Sequence, residues 1–503
     1  MGRLRQTHLG SSIRKALTIA DPGLPHYAGS NIIFRLPDEL LISIVEFAAF
    51  NPLSKCRMIQ CGNCGTCWGI YMWNRKCLTA LSMTCGRFHA IATPLIFRLI
   101  DIGYPDEVLP PSERVVKMHR ILKENPKYWQ HCQSLQLYIP DLRSYEASQY
   151  WAITDILKWS KKLKCLTIHG GFEGMSGQYT LPSWILINKL IFHNKGIEHI
   201  QLSRHGCGIQ LTHIKNRINL PKLKTLQVFG IYEAKDDPFD LPIERFRTAS
   251  FTTLILSDFG ERPEAMRLLI HWPATLIYFK FIDFYNNPYV MDYPLFESWL
   301  LIHRHTLTHV NISYLSSLGS NRLFNATRFP HLVFLQLSRW QMESTSEFHA
   351  EDANVLGPSV ETFGWEFTIY DQHCEGWTAF DDPECFWIGE LIKAAIVRKS
   401  VLKNIKITFS PDHWNATSRE LGYPWDKIDK LRDEVARPNG IDISYNEPSI
   451  SKEKWLEFLV KYCGTKEEHG SPLKEDMNKA EPEYHGEDIR EYLYTLPRDV
   501  WGT

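Results

Sequence analysis

Six short stretches share one pattern: CQSLQL at 132–137, LKCLTI at 163–168, IEHIQL at 197–202, LKTLQV at 223–228, LTHVNI at 307–312 and LVFLQL at 332–337. Apolar residues take the first, fourth and sixth places. In an extended chain the last two then face one side and the residue between them faces the other. The same spacing recurs at Phe251/Leu254/Leu256, Leu276/Phe279/Phe281, Val360/Phe363/Trp365 and Leu402/Ile405/Ile407, making ten matches. Successive first positions lie 25 to 42 residues apart and average 30. A unit of that length holds one strand and one connecting segment, and parallel stacking of such units buries the shared apolar positions.

Between the strands lie amphipathic stretches, YWAITDILKWSKKL, SWILINKLIFHN, PEAMRLLIHW and LFESWLLIHRH, whose spacing predicts helices. The fold class expected over 104–450 is therefore α/β, an irregular leucine-rich-repeat-like solenoid of helix-strand units with parallel strands. A compact doubly wound domain rarely sustains ten such units. The Asn that usually follows the strand of such repeats is missing, and the long interval before Leu402 marks an inserted loop containing EFTIYDQHCEGWTAFDDPECFW. KIDKLRDEVARPNGIDISYN predicts a helix stopped at Pro438-Asn439-Gly440 and then a strand, a capping unit. Charges dominate 451–503, read as a mobile tail with short helices at Lys454 to Tyr462 and Asp488 to Tyr494.

If the apolar positions point inward, the residues between them form a column on the concave face: Gln136, Thr167, Gln201, Gln227, Ile255, Lys280, Asn311, Gln336, Gly364 and Lys406. Flanking columns add Tyr138, His169, Phe229, Tyr278, His309 and Phe334. Amides, lysines and amphipathic aromatics together suit a protein or peptide ligand. The target-binding set is Gln136, Gln201, Gln227, Tyr278, Lys280, His309, Asn311, Phe334 and Gln336. A merely solvated face is the alternative.

The whole chain has 503 residues, 44% apolar, 13% aromatic and 22% charged, with a net charge of -1. That composition folds, and its balanced charge provides no field for nucleic acid or an anionic membrane. Apolar runs long enough to span a bilayer are absent. The start, 1–30, reads as a disordered basic leader rather than a secretory signal, and Gln6 stands where myristoylation wants Ser or Thr. A cytoplasmic or nuclear location is expected.

From Asn31 the chain reads NIIFRLPDELLISIVEFAAF, with Leu36, Leu40, Leu41, Ile44, Val45 and Phe47 at helical spacing. Pro37 suits a first turn, and Asp38 and Glu39 complement the helix dipole. In CLTALSMTCGRFHAIATPLIFRLIDI a second stripe, Leu78, Leu81, Ser82, Cys85, Phe88, Ile91 and Ala92, runs up to Pro94, which is expected to interrupt it. Two helices this short cannot satisfy each other's apolar faces, so a partner helix is implied. These residues, Leu36-Pro37-Asp38-Glu39-Leu40-Leu41, then Leu81-Ser82, Cys85 to Ala92 and Pro94 to Phe97, resemble the F-box family in its fungal form. The resemblance covers 31–103. It implies docking of a Skp-type adaptor and, through it, a cullin scaffold, with Leu36, Pro37, Leu40, Leu41, Ile44, Leu81, Cys85 and Phe88 as the adaptor-binding residues.

The family's helices are joined by a short connector, whereas a cysteine-rich insertion, 51–77, stands here. Five of the twelve cysteines fall within it. Cys61, Cys64 and Cys67 repeat a two-residue spacing across glycines, and with Cys77 they make a four-thiolate set for a structural zinc. A loop of reduced cysteines is the alternative, and no cofactor is otherwise required. No nucleophile elbow, phosphate loop, dinucleotide fingerprint or His-Glu-x-x-His motif is present, so a non-enzyme is expected. Two functions fit: the substrate-recognition subunit of an SCF-type cullin-RING E3 ubiquitin ligase, or a leucine-rich-repeat interaction scaffold acting outside a ligase. The target stays unknown.

Overall fold

A computed structural model describes residues 36–49, 75–102, 111–139, 147–170, 182–203, 208–218, 220–233, 238–282, 289–313, 315, 322–341, 347–367, 380, 382–409, 423–448 and 451–463. The leader, Cys61, Cys64, Cys67 and the segment Asp488 to Tyr494 lie outside them. The chain forms two compact units, Met1–Leu99 and Ile100–Thr503.

The first unit holds helices α1 (Asp38–Ala49), α2 (Arg75–Ser82) and α3 (Gly86–Ile96). The second apolar stripe is thus two helices where one was expected. Ser82 and Thr84 donate their hydroxyls to the Thr79 and Leu81 carbonyls at 2.8 Å, closing the turn locally, and Cys85 is extended at φ -161° before α3 restarts. Pro94 does not stop α3, which runs on to Ile96, with the Phe97 amide bonding Thr93 at 3.1 Å. The core comprises Leu41, Val45 and Ala49 of α1, Leu78 of α2 and Phe88, Ile91, Ala92 and Leu95 of α3. Arg87 ties α3 to the start of α1 through Asp38 Oδ1 at 2.7 Å and the Leu36 carbonyl at 2.5 Å.

Among the described residues twelve strands form one sheet: β1 (Leu99–Ile102), β2 (Ser134–Ile139), β3 (Cys165–Gly170), β4 (His199–Ser203), β5 (Thr225–Tyr232), β6 (Thr253–Gly260), β7 (Tyr278–Ile282), β8 (His309–Ile312), β9 (Phe334–Ser338), β10 (Thr362–Glu366), β11 (Asn404–Thr408) and β12 (Asp442–Tyr445). Their order in the sheet is their order in the chain, and β2 to β12 are parallel throughout. A doubly wound sheet reverses order at a switch point. This one never does, as stacked repeats require. β1 opens the sheet, although its residues fall within the span assigned by sequence to the helical module.

The connections hold α4 (Pro111–Glu124), α5 (Ala147–Trp159), α6 (Pro182–His193), α7 (Leu211–Arg217), α8 (Pro263–His271), α9 (Tyr293–Leu300) and α10 (Asp382–Val397). Among the described residues the connections into β6, β9 and β10 carry 3-10 turns instead, at Ile243–Arg245, Ala326–Arg328, Arg339–Gln341 and Asp352–Val355. Buried Glu297 of α9 pins the Ala326–Arg328 turn, accepting from Arg328 at 3.0 Å and from Arg322 and the Asn325 amide at 3.3 Å.

Helices cover one face of the sheet, where Phe296 of α9 meets Phe281 at 5.0 Å and Trp387 of α10 meets Trp365 at 4.7 Å. After β11 come α11 (Pro424–Leu431), a wider π-helical turn (Arg432–Ala436) and a 3-10 turn (Arg437–Asn439) before Gly440, whose φ of 75° permits the stop at Pro438-Asn439-Gly440. The tail does not begin freely at 451. In α12 (Lys452–Cys463), Trp455 is fully buried 6.5 Å from Trp425, and Lys452 pairs with Asp426 at 2.6 Å.

His303 gives the packing a pH signature. Its Nε2–H donates to the Ile270 carbonyl at 2.8 Å and its Nδ1 accepts the Leu276 amide at 3.3 Å, an arrangement for neutral imidazole. Burial brings its pKa from 6.5 down to about 4, against the opposing pull of the Ile270 carbonyl. The unfolded chain therefore binds the proton more readily. The contribution is intact above pH 6.5 and lost as pH falls towards 4. At pH 5 the loss through this residue is about 2 kcal/mol. In urea unfolding at pH 7 and pH 5, His303→Gln removes that part of the difference; an unchanged pH dependence counts against this assignment.

Candidate functional site

On the face opposite the helices, the register assembles the column expected from the alternation. Gln136 lies beside Thr167, Thr167 beside Gln201, and so on through Gln227, Ile255, Lys280, Asn311, Gln336 and Gly364 to Lys406 and Ser444. Its exposure differs from expectation. Gln136, Gln201 and Gln227 are half-buried, while Lys280, Asn311 and Gln336 are buried. Strands about 4.8 Å apart bring neighbouring side chains of a column together, so they shield one another.

Two residues towards the strand starts, Tyr278, His309 and Phe334 form a stack, with ring centroids 5.8 Å apart at each step and planes within 28° and 24°. Burial lowers the His309 pKa, so the middle ring stays neutral and suited to stacking. At the other flank, His169 bridges Gln136, at 3.3 Å, and Ser203.

Charge gathers at β7 to β11. Glu366, at the end of β10, accepts at one oxygen from Gln336 Nε2 at 2.9 Å and Ser313 Oγ at 2.8 Å. Lys406 approaches it from β11. Burial lowers the Lys406 pKa, Glu366 opposes that shift, and nearby Lys280 adds to it. Just beyond β9, Arg339 binds Glu384 of α10 at 3.0 Å, both side chains buried, and its guanidinium lies 5.8 Å from the Trp365 ring. The hydroxyl of buried Tyr293 accepts the Ser338 amide at 2.9 Å, and burial raises its pKa.

Gly364 lies within this cluster. A Cβ there would stand 2.8 Å from both Cβ and Cγ of Gln336. The Gln336 side chain thus fills the place that a side chain at 364 would take, on its way to Glu366. Chemically, the site offers ammonium donors, a carboxylate already engaged, an amide row and a flat aromatic ledge.

Glu366 is not among the residues the sequence pattern singles out, though it stands two places after Gly364 on the same face, one step further along the alternation. Lys406 and Gly364 fall in the predicted column but not in the target-binding set. Arg339, Glu384, Ser313 and Tyr293 have no local signal, since each meets its partner through the tertiary fold.

The predicted adaptor-binding residues divide sharply. Leu40 is 52% exposed and Ile44 42%, with Pro37 exposed beside them, whereas Leu41 is 1% exposed and Phe88 8%. Leu41 and Phe88 are thus core residues of the module. Leu36, Leu81 and Cys85 pack partly against that core. Phe47, 84% exposed, continues the outer row of Leu40 and Ile44 at i, i+4 and i+7. Of the proposed zinc ligands only Cys77 is described. It sits on α2 with its thiol 3.6 Å from the Ala48 carbonyl, and no metal-ligand cluster occurs among the described residues. Among those residues no helix is long and apolar enough to cross a membrane. No protein-family model matches the chain, and no curated protein matches it.

The Arg339–Glu384 pair is expected to be structural. Arg339→Met takes the buried Glu384 carboxylate's guanidinium away and costs about 3–5 kcal/mol in denaturant unfolding. Adding Glu384→Leu recovers most of that loss. Equal stability of Arg339→Met and wild type would show that the pair does not hold α10 in place.

Proposed function

We propose that this chain is the substrate-recognition subunit of an SCF-type cullin-RING ubiquitin ligase, its helical module docking a Skp-type adaptor and its repeat unit binding the target protein. The observation that carries the reading is the outer face of α1. Leu41, Val45 and Ala49 fill the module's core, yet Leu40, Ile44 and Phe47 remain on the surface as a continuous apolar row. A helix with apolar residues on both sides needs a second partner, and i, i+4, i+7 anchors are how an amphipathic helix enters a groove. The F-box resemblance supplies the identity of that partner, and the polar and aromatic face of the repeat unit suits a polypeptide target.

The split between Leu40 and Leu41 makes the proposal testable. Full-length protein is to be captured on immobilised Skp-type adaptor. Leu40→Asp or Ile44→Asp is expected to weaken capture at least about tenfold, equivalent to about 1.4 kcal/mol, without moving the melting temperature. Leu41→Asp loses capture only because the module unfolds. If the wild type is not captured, the scaffold reading replaces this one.

A further inference from the structure

We propose that the edge of the sheet where β3, β4 and β5 begin binds an acidic segment of a polypeptide, through Lys161, Lys162, Lys164, Lys195, Lys222 and Lys224. The inference rests on the reading that the repeat unit binds a protein, and it names the chemistry of that protein and the place it takes.

Charge segregation is the first ground. The net charge of -1 hides two opposed stretches: 111–250 holds 20 Lys and Arg against 12 Asp and Glu, and 251–450 holds 17 against 26. Strands about 4.8 Å apart put β3 and β11 several Debye lengths from each other along the sheet, that length being about 8 Å at physiological salt. The two stretches therefore do not neutralise each other.

Placement is the second. The Glu198 amide bonds the Lys164 carbonyl at 2.8 Å and the Lys224 amide bonds the Glu198 carbonyl at 2.7 Å, so these three residues stand in one row at the strand starts. The Glu198 carboxylate bridges both lysines, 3.7 Å from Lys164 and 2.6 Å from Lys224. The hydrogen bond from Lys224 lowers the Glu198 pKa, so the carboxylate is ionised and already engaged. The turns after α5, α6 and α7 then add Lys161, Lys162, Lys195 and Lys222, all exposed. Lys162 and Lys222 hold the same place in their units, directly before Leu163 and Leu223, while Lys161 and Lys195 share the place before that. None of these four pairs with a carboxylate among the described residues. Asp155, the acid of α5, is held by His119 at 3.2 Å and Lys158 at 3.6 Å. Six ammonium groups thus stand against one carboxylate across three neighbouring strands.

The rest of the same row behaves differently. Beyond Lys224 it runs without charge through Thr252, Ile277, Thr308 and Val333, and where charge returns it is matched, Lys403 pairing with Glu361 one strand away at 2.8 Å. The excess belongs to β3, β4 and β5.

The occupant is the third ground. Glu198 shows that lysines on alternate strands of this edge seat a carboxylate between them. All six cations are lysines, without the planar guanidinium fork that grips a phosphate through two bonds. A single-stranded nucleic acid also wants aromatic platforms for successive bases. Among the described residues the ends of α5, α6 and α7 expose one large aromatic side chain, Phe192, 79% exposed three residues before Lys195. One ring suits a single apolar residue within an acidic peptide.

The test pans phage-displayed random dodecapeptides against the full-length protein and, in parallel, against a variant carrying Lys161→Gln, Lys162→Gln, Lys195→Gln and Lys222→Gln. Peptides enriched on the wild type alone are synthesised and measured by fluorescence polarisation. Enrichment of Asp and Glu is expected in that set. Replacing those acids by Asn and Gln should weaken binding at least tenfold, and so should raising NaCl to about 1 M, where the Debye length falls to about 3 Å. Arg at the same four positions should retain binding, and Lys403→Gln at the far end of the row should leave it unchanged. The fourfold Gln variant should unfold at the wild-type midpoint, so that its loss of peptides reports the surface and not the fold.

An empty set, a set without acid enrichment, indifference to the acids' replacement, or tenfold tighter binding of a twelve-nucleotide thymidine oligonucleotide overturns the proposal. Adaptor capture is read on the same protein. Acidic peptides without adaptor capture sink only the ligase reading, and the reverse result sinks only this one.

Discussion

Everything in the repeat unit depends on strand register. In each strand two residues face the helices, and the pairing aligns them into rows running from Leu135 and Leu137 to Ile443 and Tyr445. A slip of one residue anywhere would turn both rows outward. Strands of four to eight residues cannot hold such a position alone. Each is fixed by burial of its apolar pair against its neighbours, at about 1.5–3 kcal/mol per large side chain. The same logic explains the thickening of aromatics near the C-terminal end, where Phe363, Trp365, Trp387, Phe409, Trp425 and Trp455 fill the space beneath the last strands and the closing helices.

The register that stacks apolar residues on one face stacks whatever stands on the other. Side chains forced about 4.8 Å apart must satisfy one another or remain unsatisfied. Across β2 to β4 they link as Gln136, His169 and Ser203, and across β7 to β9 they stack as Tyr278, His309 and Phe334. Across β8 to β10 they converge on Glu366. Asn311 is the place in this column where satisfaction is incomplete. Between strands a buried carboxylate does similar work, as when Glu297 holds the Ala326–Arg328 turn through Arg322, the Asn325 amide and Arg328.

Legibility in the sequence depends on the range of each interaction. The alternation is local, so the ten strands from β2 to β11, the polar column and the stop at Gly440 can be read from spacing alone. β1 keeps the same spacing at Phe97, Ile100 and Ile102, yet it follows directly on a helical stripe and reads as its continuation. The exposure of Lys280 and Asn311 is not legible, because burial on that face depends on neighbouring strands far away in sequence. The division of α2 from α3 hangs on hydroxyl-to-carbonyl bonds that a helical stripe does not register. Trp455 is hidden by the charges around it, though a single Trp in a charged segment is itself a sign of docking.

The long segment between α1 and α2 has less effect on the module than its length suggests. Closing a loop becomes harder only with the logarithm of its length. Extending a connector of about six residues to the 25 between Ala49 and Arg75 costs about 1 kcal/mol. Burial of Leu41, Leu78 or Phe88 alone offsets that. The three helices can therefore meet as they would with a short connector, and the spacing of Leu40, Ile44 and Phe47 is set within α1 rather than by the insertion. Whatever that insertion contributes, the apolar row arises from twelve contiguous residues and their own core contacts.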